Sequence, residues 1–159
     1  MEQFQLTDEL IKKIADLILA KKNSNLKKLV NDIHFADMAD IINLLNEEQG
    51  VYLIKLFDSE KTSEILTELD ENVREKILKT LSVKEIAGEI EELDSDDAAD
   101  ILGELSEERK EEVISEISDN NLADNLIELL SYKEDSAGGL MAKELVKANE
   151  NWTVLKCLS

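Results

Sequence analysis

Proline is absent from this chain, and glycine occurs only five times in 159 residues. Both residues disfavour helix interiors, so their scarcity predicts an almost entirely helical chain whose turns depend on capping side chains. Only six residues are aromatic, so the core must consist mainly of leucine and isoleucine. The single cysteine, Cys157, excludes an intrachain disulfide.

Several kinds of functional site lack the residues that they need. His34 is the only histidine, so zinc sites and cysteine–histidine nucleophiles are incomplete, and its sequence position is that of a turn residue. The sequence contains no glycine pattern for binding phosphate or a dinucleotide. It also has no apolar run long enough to span a membrane, and charges interrupt the segment from Leu10 to Ala20 that a signal peptide would need.

Basic residues are scarce, with 18 lysines and arginines against 37 acidic residues, for a net charge of −19. This balance argues against nucleic acid as a partner, because binding phosphates requires a basic face. Residues 1–30 contain six lysines and four acidic residues, so the acidic excess lies in the rest of the chain. Such an excess keeps a protein soluble, and it also repels itself unless cations or a basic partner neutralise it.

The most regular feature of the sequence is an apolar pattern with a period of twelve residues. One series is Ile33, Leu45, Phe57, Leu69, Leu81, Leu93, Leu105, Ile117 and Leu129. A second apolar series precedes it by three positions: Val30, Ile42, Ile54, Leu66, Leu78, Ile90, Leu102, Ile114 and Leu126. The spacing predicts short helices that each close on a buried residue.

The residue after each position from Leu45 to Ile117 is of a type that caps helices: Asn46, Asp58, Asp70, Ser82, Asp94, Ser106 and Ser118. Asn46 with Gln49, and Ser82 with Glu85, have the spacing of capping boxes. Helices this short are marginal alone, so neighbours must stack in an α-solenoid or compact superhelix rather than a four-helix bundle. Two further helices are predicted before the repeat, at about Asp8–Lys22 and Leu26–Ile33, with a turn at residues 23–25.

The densest carboxylate cluster of defined geometry begins at Asp94, the predicted N-cap of one helix. Asp96 and Asp97 fall in the first turn, and Asp100 follows at i+4 and i+3, so the side chains are neighbours on the helix surface. Acids in a first turn complement the helix dipole, which is a sufficient structural reason for them. The same oxygens suit Mg2+, which keeps several waters and needs only one or two carboxylates.

The periodic pattern ends near Tyr132, which gives a predicted helical domain over residues 1–132 and a separate segment over 133–159. Gly138 and Gly139 mark a break, and residues 144–148 weakly favour a strand. A new apolar pattern starts at Trp152 and stops at Ser159, so we expect the natural protein to continue.

Two stretches resemble the MgtE family of magnesium transporters: Leu93-Asp-Ser-Asp-Asp-Ala-Ala-Asp-Ile-Leu102, and Tyr132-Lys-Glu-Asp-Ser-Ala-Gly-Gly-Leu-Met141 followed by Trp152-Thr-Val154. The resemblance covers roughly residues 30–159. It implies a cytosolic right-handed superhelix of about ten short helices that leads into the start of a CBS domain at residues 133–159. It also implies a regulatory domain without enzymatic activity on the cytoplasmic side of the cell membrane.

The family's mechanism assigns Mg2+ to acidic faces between the helical and CBS domains, where it favours the closed pore. By position, the resemblance implies Asp96 and Asp100 as ligands, with Asp97 beside them and Glu64 as a weaker candidate at an equivalent place in an earlier hairpin. The implied partners are the protein's own CBS and membrane domains, with a homodimer formed through those domains. The chain here lacks the rest of the CBS pair and all membrane helices.

Two other classes of function fit the sequence less well. One is an α-solenoid scaffold that binds a basic protein, similar in architecture to flagellar motor switch proteins. The other is a carboxylate hydrolase, for which no convergent pocket residues can be named. Cation-dependent stabilisation distinguishes the magnesium sensor from both.

Overall fold

The computed structural model describes residues 5–133 and 136–144, and every regular element in these ranges is an α-helix. The predicted all-α class and the number of short helices are confirmed. The ten helices are α1 (Asp8–Leu19), α2 (Asn23–Val30), α3 (Phe35–Leu44), α4 (Glu47–Ile54), α5 (Ser59–Glu68), α6 (Glu71–Thr80), α7 (Val83–Ile90), α8 (Ser95–Gly103), α9 (Glu107–Glu116) and α10 (Asn120–Leu129). None of the described helices is long and apolar enough to cross a membrane.

From α3 onward, each helix packs mainly on a helix two positions away in the chain. The helices α3, α5, α7 and α9 contact one another in succession, and α4 packs on α6 as α8 packs on α10. The helix α1 covers one end through contacts with α2 and α4. This stacking of odd on odd and even on even is the arrangement expected of an α-solenoid.

The two apolar series of the sequence form the core between these rows. In the earlier series every member except Ile114 is buried, and in the later series every member is buried or partly buried. Burial of this apolar surface stabilises helices that would be marginal alone, at about 25 cal/mol for each Å² removed from water.

The predicted caps fall where the helices begin, with one exception. Asn46, Asp58, Asp70, Ser82, Asp94 and Ser106 are all N-caps, and both predicted capping boxes form. His34 caps α3 through Nδ1, in line with its predicted turn position. The prediction of Ser118 was wrong by one residue, because Asp119 accepts from the amides of Asn121 and Leu122 instead.

The start of α2 was also predicted wrongly. The helix begins at Asn23, so residues 23–25 form its first turn rather than a connection. The chain reverses before them, where Lys21 has a φ of 51° in the left-handed region. Lysine is not a residue that the sequence pattern marks for this conformation, which is why the turn was placed too late.

Three basic side chains bind the carbonyl groups at the ends of other helices. The ammonium of Lys61 on α5 donates to the carbonyls of Val30, Asn31 and Ile33 after α2. Arg109 on α9 donates to those of Leu78 and Leu81 after α6. The guanidinium of Arg74 donates to three carbonyls near the end of α5 and also pairs with Glu104. These contacts satisfy acceptors that a helix end leaves without intrahelical donors, and cations there complement the helix dipole.

Residues 136–144, which we call the return segment, follow the helical repeat and lead back to it. Residues 137–140 form a turn and 141–144 have no regular structure. A Cβ at Gly138 would lie 2.7 Å from ring carbons of Tyr132, so this turn packs too closely against the ring for a side chain. The predicted strand falls largely at residues 145–148, and that part lies outside the described residues, as does the predicted CBS start beyond residue 144. The proposed domain boundary at residue 132 stays a prediction.

Candidate cation site on helix α8

The helix α8 has the position and the N-cap residue predicted for it, but that residue makes no capping hydrogen bond. Asp94 is the N-cap residue with extended backbone angles, yet its side chain makes no capping hydrogen bond. Instead the carboxylate of Glu144, in the return segment, accepts from the Ser95 amide at 3.1 Å and from the Ser95 hydroxyl at 2.9 Å. Ser95 is fully buried. A carboxylate distant in sequence therefore occupies the N-terminus of α8.

The predicted acidic residues lie together on the first two turns of α8. Asp96 is partly buried, whereas Asp97 and Asp100 are exposed. Burial raises the pKa of Asp97 above its usual range, and the charges of Asp96, Asp100, Asp94 and Glu68 raise it further. Desolvation and the surrounding negative charge together make the Asp97 carboxylate hold its proton more tightly than in water.

Asp100 also faces a surface hollow of about 420 Å³ between α6, α8, α9 and the return segment. Arg74 and Glu104 lie in the same hollow, and the Arg74 Nε atom is 2.9 Å from Glu104 Oε1. Lys110 lines it as well, so both signs of charge are present. The hollow is therefore lined by groups of both signs, and Asp100 is one of its acidic groups.

Glu64 lies on α5 rather than on α8. It is exposed on α5 and borders a shallow hollow with Ile33, His34 and Phe35. The α5 carboxylate that raises the pKa of Asp97 is Glu68, one turn further along.

The chemistry of the α8 acids suits a hydrated hard cation rather than an enclosed one. Among the described residues, no group of three or more histidine, cysteine, aspartate or glutamate side chains is arranged to hold a metal ion. Mg2+ retains several waters and is often bound by one or two carboxylates. The oxygen donors of Asp96, Asp97 and Asp100 fit that requirement, with the remaining positions available to water or to a facing surface.

A second acidic site was not predicted from the sequence. Glu89 on α7 is half-buried, and its Oε2 atom is buried without a hydrogen-bond partner. Burial raises the pKa of Glu89 to about 7, and the charges of Glu85, Glu92 and Asp58 contribute in the same direction. The sequence offered one sign of it, since Gly88-Glu89-Ile90 is displaced by one residue from the pattern of the neighbouring hairpins.

Comparison with known proteins identifies the family. A family model described as the MgtE intracellular N domain matches residues 33–135. The fold is similar to a crystal structure of the soluble part of a magnesium transporter, with a TM-score of 0.80 and 20% identity over 95% of this chain and 59% of that one. It is also similar to the cytosolic domain of the Mg2+ channel MgtE in complex with ATP, with a TM-score of 0.80 and 26% identity over 93% of this chain and 60% of that one. No curated protein sequence matches the chain.

The chain thus spans about 60% of the length of the two solved structures. The family match begins at Ile33, where the twelve-residue pattern begins, and includes all of α3 to α10. The resemblance seen in the acidic stretch is confirmed, and the chain belongs to the family of MgtE intracellular N domains.

Proposed function

We propose that this chain is the cytosolic magnesium-sensing regulatory domain of a magnesium transporter or channel. The observation that carries the proposal is the crowding of Asp94, Asp96, Asp97 and Asp100 on α8, where burial and then the neighbouring charges raise the pKa of Asp97. Family membership supports the same reading, because the matched family model describes an intracellular domain of MgtE. An acidic surface of this kind stores electrostatic repulsion that a bound cation relieves.

The proposed ligands are Asp96 and Asp100, with Asp97 beside them. Asp96 and Asp100 are one helical turn apart, so their side chains are close enough to share one hydrated ion. Glu64 on α5 remains a weaker candidate. Mg2+ is proposed because the donors are all carboxylate oxygens, which hard cations prefer.

The proposed mechanism is thermodynamic linkage. A cation that binds the α8 surface more tightly in one arrangement of the full protein shifts the equilibrium towards that arrangement by its differential affinity. We propose that the favoured state is the closed one, in which the acidic surface faces the protein's own CBS domain. The other proposed partners are the membrane domain and a second subunit, and the proposed location is the cytoplasmic side of the cell membrane.

Thermal unfolding at fixed ionic strength tests the proposal. Replacing NaCl with MgCl2 should raise the Tm of the wild-type chain by about 2–4 °C when Mg2+ is about five times its Kd, since this adds about 1 kcal/mol of binding energy. The double variant Asp96→Asn/Asp100→Asn should lose most of that rise. A double variant Glu108→Gln/Glu112→Gln is the matched control, because it removes the same charge at the same i, i+4 spacing from an exposed face of α9.

Equal Mg2+ responses in all three proteins would remove the α8 site from the proposal. If no protein responds to Mg2+ beyond the effect of NaCl, the scaffold alternative becomes the better explanation of the acidic surface. In that case a basic partner, rather than an ion, would neutralise the α8 face.

A further inference from the structure

A groove of about 440 Å³ runs between α9 and α10, the last two helices of the repeat in the described part of the chain. Its apolar lining consists of Ile114, Ile127 and Leu130, and Ile127 is 55% exposed. The helix α9 also lines the groove with two exposed carboxylates, those of Glu107 and Glu111. The α9–α10 groove therefore combines apolar surface with negative charge.

The apolar side chains that α10 contributes are exceptions to the repeat. In the even row, equivalent positions recur every second repeat, and those equivalent to Ile127 hold Lys55, Lys79 and Gly103. The positions equivalent to Leu130 hold the capping residues Asp58, Ser82 and Ser106. The scaffold therefore does not require large apolar residues at these two places. Exposed apolar side chains that cluster around a groove are typical of an interaction surface.

The odd row leaves room for an additional helix beside this surface, because α9 is its last member among the described residues. At the positions equivalent to Ile114, the earlier helices of the row have side chains at most 1% exposed: Ile42, Leu66 and Ile90. Each of those helices is followed by another that packs on it. Ile114 has no such successor in residues 5–133 and 136–144 and is only partly buried. One further helix in the α9–α10 groove would complete its burial.

The carboxylate of Glu111 restricts what kind of helix can occupy this place. The equivalent positions of α3, α5 and α7 hold small buried residues, Ala39, Ser63 and Ala87. A neutral helix packed on α9 in the same way would bury the Glu111 carboxylate without a partner, which is costly. A helix with lysine or arginine along that edge would pair with it instead. A second copy of this chain is a poor occupant, because two chains of charge −19 repel each other.

We propose that the α9–α10 groove binds an amphipathic basic helix of a partner protein. The apolar stripe of that helix packs on Ile114, Ile127 and Leu130, and its lysine or arginine residues lie beside Glu107 and Glu111. This is the helix-in-groove mode of recognition, in which apolar anchors recur at i, i+3 or i+4, and i+7. The acidic edge selects basic helices over acidic ones and speeds their association. The inference goes beyond the proposed function, since none of these residues belongs to the α8 acids.

Fluorescence anisotropy with a labelled synthetic peptide tests the apolar half of the proposal. The probe is a helix of about 15 residues, long enough to span α9, with leucine at the anchor positions and lysine elsewhere. Ile127→Asn should weaken binding by about tenfold or more, because apolar contact with the peptide is lost. Leu44→Asn on α3 is the matched control, since Leu44 is equally apolar and 62% exposed but lies outside the groove. Both variants should keep the wild-type Tm, because both side chains are exposed.

A charge pair tests the acidic half with a control on the same helix. Glu107→Gln/Glu111→Gln should weaken peptide binding by about three- to tenfold at low ionic strength, and added NaCl should reduce the difference. Glu108→Gln/Glu112→Gln removes the same charge at the same spacing from exposed positions that do not line the groove, so its effect should be smaller. A peptide with glutamate in place of lysine should bind more weakly to the wild type.

Three results would overturn the proposal. The first is a wild-type chain that does not bind the lysine peptide, or binds the glutamate peptide equally well. The second is equal weakening by Ile127→Asn and Leu44→Asn, or by the two glutamine pairs, which would indicate general attraction to an acidic protein. The third is a wild-type dimer in sedimentation that Ile127→Asn converts to monomer, because a second copy would then fill the groove. None of these results changes the Mg2+ response expected of α8, so the proposed function is tested separately.

Discussion

The helices α7 and α8 begin with similar sequences and end up with opposite electrostatics. Each follows a leucine of the twelve-residue series and a capping residue, Ser82 or Asp94, and each has an acid three positions later. In α7 the acid is Glu85, which accepts from the Ser82 amide and thereby completes a capping box, and these hydrogen bonds lower the pKa of Glu85. In α8 the acid is Asp97, whose pKa is raised by burial and by neighbouring carboxylates.

The difference shows how one scaffold position serves two purposes. At α7 the first turn is capped by residues of the helix itself, so the Glu85 carboxylate takes part in capping hydrogen bonds and stabilises the helix. At α8 the helix N-terminus is taken by Glu144, and the first-turn aspartates are left to repel one another. First-turn carboxylates that make no capping hydrogen bond can interact with an ion or a basic partner. For this reason the candidate site lies on α8 rather than on α7.

The prediction with the largest expected effect tests whether α7 and α8 contribute equally to the stability of the fold. Ile90 in α7 and Leu102 in α8 hold the same position of the apolar series and are fully buried. Truncating either to alanine should lower the free energy of unfolding by about 2–4 kcal/mol, because transfer and cavity terms both oppose folding. Urea unfolding measures both losses. A loss at Leu102 below about 1 kcal/mol would show that α8 is only loosely packed.

A smaller effect is expected on the pH dependence of the free energy of unfolding, to which Glu89 of α7 contributes. Its pKa of about 7 in the folded chain exceeds the ordinary glutamate value of about 4.3, so the folded state binds this proton more tightly. Stability from Glu89 is therefore present at acidic pH and is lost as the pH rises from about 4.5 through 7. After allowance for solvent screening of a half-buried group, the loss should be about 1–2 kcal/mol.

The variant Glu89→Gln isolates this contribution. It should be more stable than wild type at pH 8 and should show little difference at pH 4, where the wild-type side chain is neutral in the folded state and largely neutral in the unfolded state. Glu112→Gln, at an exposed position of α9, removes the same charge without changing burial and serves as the control. An equal gain in both variants at pH 8 would mean that net charge, rather than the buried Oε2 atom, sets the effect.

The sequence predicted the helical scaffold because its determinants are local. An apolar residue every twelve positions and a side-chain cap after it fix where a helix closes and the next one starts, as at Ser82 and Asn46. The same reasoning placed Asp94 at the start of α8. It failed at Lys21, where the chain takes a left-handed turn that no glycine or asparagine announces.

The features that depend on tertiary packing were beyond such local reasoning. The carboxylate that binds the start of α8 is 49 residues downstream of Ser95, and no local sequence pattern links the two residues. Lys61 and Arg109 bind carbonyls about 30 residues upstream, although basic residues near a helix start ordinarily oppose the dipole. Glu89 was missed because its burial depends on a one-residue offset of Gly88-Glu89-Ile90 from the pattern of the neighbouring hairpins. The offset turns an otherwise exposed acid towards the packed helices.

The smallest expected effect bears on the caps themselves. Ser82→Ala should lower the free energy of unfolding by about 1 kcal/mol, because it removes a hydroxyl that accepts from the Glu85 amide. Asp94→Ala should cost less than about 0.5 kcal/mol, because the Asp94 side chain makes no capping bond and its charge adds to the repulsion around Asp97. Paired urea unfolding curves at pH 7 measure the contrast.

Carboxyl NMR of the Asp94→Ala protein provides the sharper readout, because stability differences this small are close to measurement error. The pKa of Asp97 should fall, since one of the charges that raises it is gone, whereas the pKa of Glu85 should stay where the capping box holds it. If Asp94→Ala instead costs as much as Ser82→Ala and leaves the pKa of Asp97 unchanged, Asp94 is an ordinary cap. The first-turn carboxylates of α8 would then act in helix capping, as Glu85 does in α7, and the structural argument for an ion at α8 would be lost.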